Sequence, residues 1–146
     1  MEQTVAPLRL RAEDAGDLAV ISSVLQDALV ALPDIEYLPE LKTFAFIANR
    51  FCWECAKSGG DHFERVHALV RFEDVANVTY AGIDRRQRGA FLALLAVEAD
   101  GPTMTLRFAG GGAIRVEATA INCRLRDIDE PWPTALRPRH ALDDQR

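Results

Sequence analysis

Cys52, Cys55, His62 and His67 are the residues whose types and spacing come nearest to chemistry. Two thiolates and two imidazoles complete a tetrahedral zinc shell. Alternatively, a cysteine activated by His62 or His67, with Glu54, Asp61 or Glu64 orienting the imidazole, is a candidate nucleophile. Both readings meet physical objections. Cys52 and Cys55 lie three residues apart in a segment of strand character, so their side chains leave opposite faces unless the strand stops near Trp53. The segment between Cys55 and His62 is short for a finger loop, and no oxyanion donor accompanies a dyad. Packed or exposed thiols are the simpler account. No catalytic residue, metal or cofactor is assigned, and an enzyme or metal-binding protein centred on this cluster is the alternative reading.

Three further features carry weaker chemistry. Ala109-Gly110-Gly111-Gly112-Ala113 is glycine-rich, but it lies between two alternating segments, where its glycines serve a turn better than a phosphate cradle. Arg85, Arg86 and Arg88 form the densest basic patch, and with Arg124, Arg126, Arg137 and Arg139 they would hold an anion or an acidic partner if the fold assembled them. A solvated loop is the plainer account of the first three. Trp132, between Pro131 and Pro133, is an aromatic anchor that docks on its own domain or in a groove of another chain, with self-docking preferred.

The elements that must position these residues read mostly as strands. Leu8 and Leu10 alternate with Arg9 and Arg11, a short first strand. From Asp14 the spacing of Leu18, Ile21, Val24, Leu25 and Ala28 predicts a helix that ends before Pro33. A short strand is expected at Ile35 to Leu38. A central strand is expected from Phe44, and Val66 to Phe72 should form a hairpin with it. Val75 to Tyr80 suggests another strand. Phe91 to Val97 is uniformly apolar and is assigned as strand, although the pattern also fits a buried helix. Met104, Leu106 and Phe108 are expected to pair with Ile114, Val116 and Ala118, the clearest hairpin. A break is expected beyond Thr119, with a new short strand from about Ile121.

Composition sets the outer bounds. A chain of 146 residues with 49% hydrophobic content is long enough for one self-sufficient core. The division expected is one globular domain over 1–128 and a proline-rich tail over 129–146. The net charge of −5 argues against general nucleic-acid binding. No apolar run approaches the roughly 20 residues of a membrane span, and Met1 to Pro7 lacks a signal-peptide pattern, so a cytoplasmic location is expected. Three cysteines cannot all pair within one chain, and reduced thiols are expected.

Several segments carry a resemblance: Asn49-Arg50-Phe51 with Trp53-Glu54, Arg65-Val66-His67 with Arg71-Phe72, and Phe108-Ala109-Gly110-Gly111-Gly112 with Ile114-Arg115. With the opening Leu8-Arg9-Leu10 and the closing Pro131-Trp132, they resemble an alphaproteobacterial family catalogued as domain of unknown function 2948. The resemblance spans nearly the whole chain and implies no activity, cofactor or site residue. The fold class expected is α+β, one N-terminal helix packed on a curved, mainly antiparallel sheet of about seven to eight strands. A pleckstrin-like half-barrel is one architectural analogue. The function expected is a small non-catalytic binding or protein-interaction domain, acting on an unknown protein partner or by self-association as a homodimer. Its face or edge would use Trp132, Arg85, Arg86 and Arg88.

Overall fold

The computed structural model describes residues 7–54, 63–130 and 132–134. In chain order the elements are β1 (Arg9–Ala12), α1 (Ala15–Val24), β2 (Leu29–Leu38), a 3-10 turn (Pro39–Leu41), β3 (Thr43–Phe51), β4 (Phe63–Phe72) and β5 (Val75–Ala81). These are followed by β6 (Phe91–Asp100), β7 (Thr103–Phe108), β8 (Ala113–Ala118), β9 (Cys123–Asp127) and β10 (Trp132–Thr134). The strands form one antiparallel sheet in the order β1-β9-β4-β3-β2-β6-β7-β8-β5, with β10 beside β4. This is the α+β class expected, with ten strands where seven or eight were anticipated.

The sheet curls around a single interior. Leu125 of β9, near one edge, and Val116 of β8, near the other, belong to the same buried cluster. At its centre lies β3, paired with β2 on one side and β4 on the other. Its Phe44 and Phe46 are buried with Phe72 of β4, ring centroids 5.9 to 6.4 Å apart. Removing an aromatic side chain of this size from water contributes about 1.5–3 kcal/mol each.

Helix α1 packs on this interior through Leu18 and Ile21. Asp14 caps it, its carboxylate accepting from the Asp17 N–H at 2.8 Å. The helix also serves the sheet: β6 slips register between Leu94 and Ala96, and the Val97 N–H next to that slip donates to Ser22 Oγ at 2.8 Å.

Two expectations about this region are corrected. The helix ends before Pro33, but already at Val24, so Leu25 and Ala28, counted in its spacing, fall outside it. Leu29 and Val30 pair with β3 and β6 at once, which a helix cannot do, and Asp27 turns the chain through a left-handed conformation, φ 66°. The strand expected at Ile35 to Leu38 accordingly begins at Leu29, and Pro33 falls within the register shift between Val30 and Ile35, where β3 asks no N–H of it.

The remaining elements follow their patterns. Phe91–Asp100 is a strand, and β7 and β8 form the expected hairpin. Gly110 and Gly111 turn that hairpin at φ 88° and 93°. The break beyond Thr119 is present, with β9 starting at Cys123. Among the described residues no helix is long and apolar enough to cross a membrane.

The expectation of reduced thiols holds at Cys123 and fails at Cys52, which is disulfide-bonded to a partner outside the described residues. An odd cysteine count guarantees one thiol left over; it does not forbid one bridge. Cys123 is that thiol, fully buried, and burial pushes it up from 9.0 to about 12. In the folded protein it should resist a soluble thiol reagent and react once the chain is unfolded. Because the folded thiol holds its proton more tightly than the unfolded one, stability is whole below pH 9 and declines between pH 9 and about 12. Denaturation of Cys123→Ala should lack that component, and rapid labelling of the native thiol would contradict the burial.

Candidate functional site

The first strand and the ninth each carry an Arg-Leu-Arg triplet, and the fold lays one on the other. Arg9 lies opposite Arg126, Leu10 opposite Leu125, and Arg11 opposite Arg124. With period-two alternation the leucines turn inward and the arginines share the outer face. On the other side of β9, Arg71 of β4 lies opposite Arg124. These five arginines line a groove of about 410 Å³. Leu69 supplies part of its floor, opposite Arg126.

Like charges directly opposite on adjacent strands destabilise a sheet, and this face has three such pairs. Local acids relieve two members: Arg11 lies 3.5 Å from Glu13, and Arg71 lies 3.3 Å from Glu73. Among the described residues Arg9, Arg124 and Arg126 have no ion pair. The protein is acidic overall, at −5, so this concentration of unneutralised guanidinium groups is local and comes from strand pairing.

Beneath the face lies a buried ionic network that sets its register. Arg50 on β3, wholly inaccessible to solvent, donates from Nε to Asp127 Oδ1 at 3.0 Å and from Nη2 to Asp127 Oδ2 at 2.8 Å. It also donates to both carboxylate oxygens of Glu54, at 3.2 and 2.7 Å. Burial by itself pulls the Arg50 pKa down; the hydrogen bonds and charges of Asp127 and Glu54 outweigh it and raise the pKa above its ordinary value. Asp127 ends β9, and its Oδ2 also accepts the Leu8 N–H at 2.9 Å while its own N–H donates to Leu8 O at 3.0 Å. One carboxylate thus ties β3, β9 and the start of β1 together.

The residues singled out from the sequence take other places. Cys52, just past β3, donates its N–H to Glu64 O at 2.7 Å. Being disulfide-bonded, it offers neither a thiolate ligand nor a nucleophile in this form. Cys55 and His62 lie outside the described residues. His67 stands opposite Asn49, its N–H donating to Asp129 Oδ1 at 2.9 Å and its Nδ1 lying 2.8 Å from Asp129 Oδ2. Among the described residues no group of three or more His, Cys, Asp or Glu could hold a metal ion.

Arg85, Arg86 and Arg88 occupy the loop between β5 and β6, away from the groove. Arg85 stacks 4.1 Å above the Tyr80 ring, and burial of Tyr80, partly offset by the charge of Arg85, raises its phenol above the ordinary value. Arg86 pairs with Asp84 at 3.1 Å, and its hydrogen bonds lower that carboxyl. Arg85 and Arg88 line a smaller recess of about 190 Å³ with Leu32, Pro33 and Ile35. The backbone of Trp132–Thr134 forms β10, with Trp132 opposite Arg65, so the tail is joined to the sheet there. Arg137 and Arg139 lie outside the described residues.

Sequence reading therefore named Arg124 and Arg126 and missed Arg9, Arg11 and Arg71 as their neighbours. The repeated Arg-Leu-Arg triplet was the available signal, although it does not say which strand pairs with which.

Fold and face together define a small α+β domain with a cationic groove on one antiparallel sheet. The family model described as Protein of unknown function (DUF2948) matches residues 8–140, and the chain belongs to that family. No curated protein and no solved structure matches it.

Replacing Arg50 with Met strands Asp127 in the interior, and a loss of about 3–5 kcal/mol is expected in urea denaturation. The double variant Arg50→Met/Asp127→Leu should lose less than the two single losses added. On the outer face the sign reverses: Arg124→Glu should gain up to about 1 kcal/mol at low ionic strength, a gain that fades with added salt.

Proposed function

We propose that this protein is a non-catalytic binding module that holds an acidic partner against the groove formed by β1, β9 and β4. The observation that carries the reading is the set of five arginines on one sheet face, with Arg9, Arg124 and Arg126 making no ion pair among the described residues. A guanidinium presents a fork of N–H donors matched to carboxylate and phosphate oxygens. A face that keeps such groups opposed at a cost in stability is suited to a ligand that neutralises them.

The chemistry of the groove favours carboxylates on a protein over a nucleic acid. Its lining is arginine and leucine, without an aromatic ring on which a base could stack. The overall charge of −5 also repels a long phosphate backbone beyond the groove. The cytoplasmic location expected from the sequence belongs to the same reading. Self-association through β1 is disfavoured within it, because antiparallel pairing of two β1 edges sets arginine against arginine.

Binding of fluorescent polyglutamate, followed by anisotropy over a salt series, tests the reading. Affinity should fall steeply as salt rises, and Arg124→Glu or Arg126→Glu should weaken it about tenfold or more. Arg86→Glu, in a loop already paired with Asp84, should change it little. Equal effects from all three variants would remove the groove from the proposal.

A further inference from the structure

We propose that the open edge of β1 accepts an extended acidic peptide as an additional antiparallel strand, with carboxylate side chains at alternate positions. This rests on the reading of the arginine groove as the seat of an acidic partner, and it states how that partner is held.

The hydrogen-bonding phase of β1 leads to the edge. Asp127 donates its N–H to Leu8 O, so Leu8 and Asp127 form a hydrogen-bonded pair. Pairs alternate along an antiparallel ladder, so Leu10 with Leu125 and Ala12 with Cys123 share that phase. The N–H and C=O groups of Arg9 and Arg11 therefore point away from β9. β1 is the last strand of the sheet on this side, and among the described residues those four groups have no backbone partner. The opposite edge differs, since β5 begins with its Val75 N–H committed to Lys42 O.

The side chains then specify the occupant. Residues of an added strand that exchange hydrogen bonds with Arg9 and Arg11 stand directly opposite them, and their side chains share the outer, arginine-bearing face. Carboxylates at those positions meet Arg9 and Arg11 at the near edge of the groove. The intervening residues turn to the inner face beside Leu8 and Leu10, which are half-buried against the core, and apolar side chains suit them. The sequence sought is acidic and apolar in strict alternation. Backbone pairing supplies affinity and the alternate side chains supply selectivity, as in other cases of strand addition.

The test uses the full chain and synthetic peptides: an alternating Glu-Val octapeptide, a shuffled peptide of the same composition, and two alternating peptides N-methylated at either the glutamate or the valine amides. In the proposed register the glutamate amides face β1 and the valine amides face away. The alternating and valine-methylated peptides should bind alike. The shuffled and glutamate-methylated peptides should bind about tenfold more weakly or worse. Hydrogen exchange should show the Arg9 and Arg11 amides unprotected in the free protein and protected in the complex. Equal binding of all four peptides, abolished by Arg124→Glu, would overturn strand addition and leave the acidic-partner reading standing. Binding of none at low salt would overturn both.

Discussion

The carboxylate of Asp127 is the constraint on which the rest of this structure turns. It takes two hydrogen bonds from a fully buried guanidinium and a third from the backbone of Leu8. A charge pair sealed from water adds little net stability compared with well-packed hydrocarbon. What it adds here is position. A slip of β1 by one residue along β9 would separate the Leu8 N–H from Asp127 and turn Arg9 and Arg11 into the core. The interior ion pair thus enforces the arrangement of charges on the exterior.

That exterior is a local conflict within an otherwise cooperative fold. Elsewhere the strands bury an apolar row on the inner face, as Phe44, Phe46 and Ala48 of β3 and Met104, Leu106 and Phe108 of β7 do. On β1, β9 and β4 the inward residues follow the same rule while the outward ones repel each other. Conflicts of this sort gather where a surface has a task besides folding. The network of Arg50, Asp127 and Glu54 holds the opposed strands in place, and this allows the repulsion to persist in the folded state.

Much of the architecture was legible in the chain because short-range patterns carry it. Met104-Thr105-Leu106 and Ile114-Arg115-Val116 alternate with the period of a strand, and the three glycines between them mark the turn. Asp14, with Asp17 three residues on, marked the helix start. The helix end was obscured because Leu25 and Ala28 continue the helical spacing while Leu29 and Val30 answer to partners far along the chain. The candidate site was hidden for the same reason. Arg9 and Arg126 are ordinary surface residues on separate strands, and only the pairing of β1 with β9 makes them neighbours. Arg85, Arg86 and Arg88, conspicuous for standing close in sequence, are spread by their loop onto Tyr80, Asp84 and a separate recess.

The separation of 119 residues between Leu8 and Asp127 also bears on how the molecule is made. A ribosome adding about 5–20 residues per second delivers β9 roughly 6 to 24 seconds after β1 has left the tunnel. Through that interval the first strand has no partner and both of its edges are bare. Its arginines then act as gatekeepers, discouraging nascent chains on one message from zipping together. The groove also closes late, since its two halves cannot meet until β9 has followed every strand from β1 to β8. A chain that carries it has already made and paired its ninth strand.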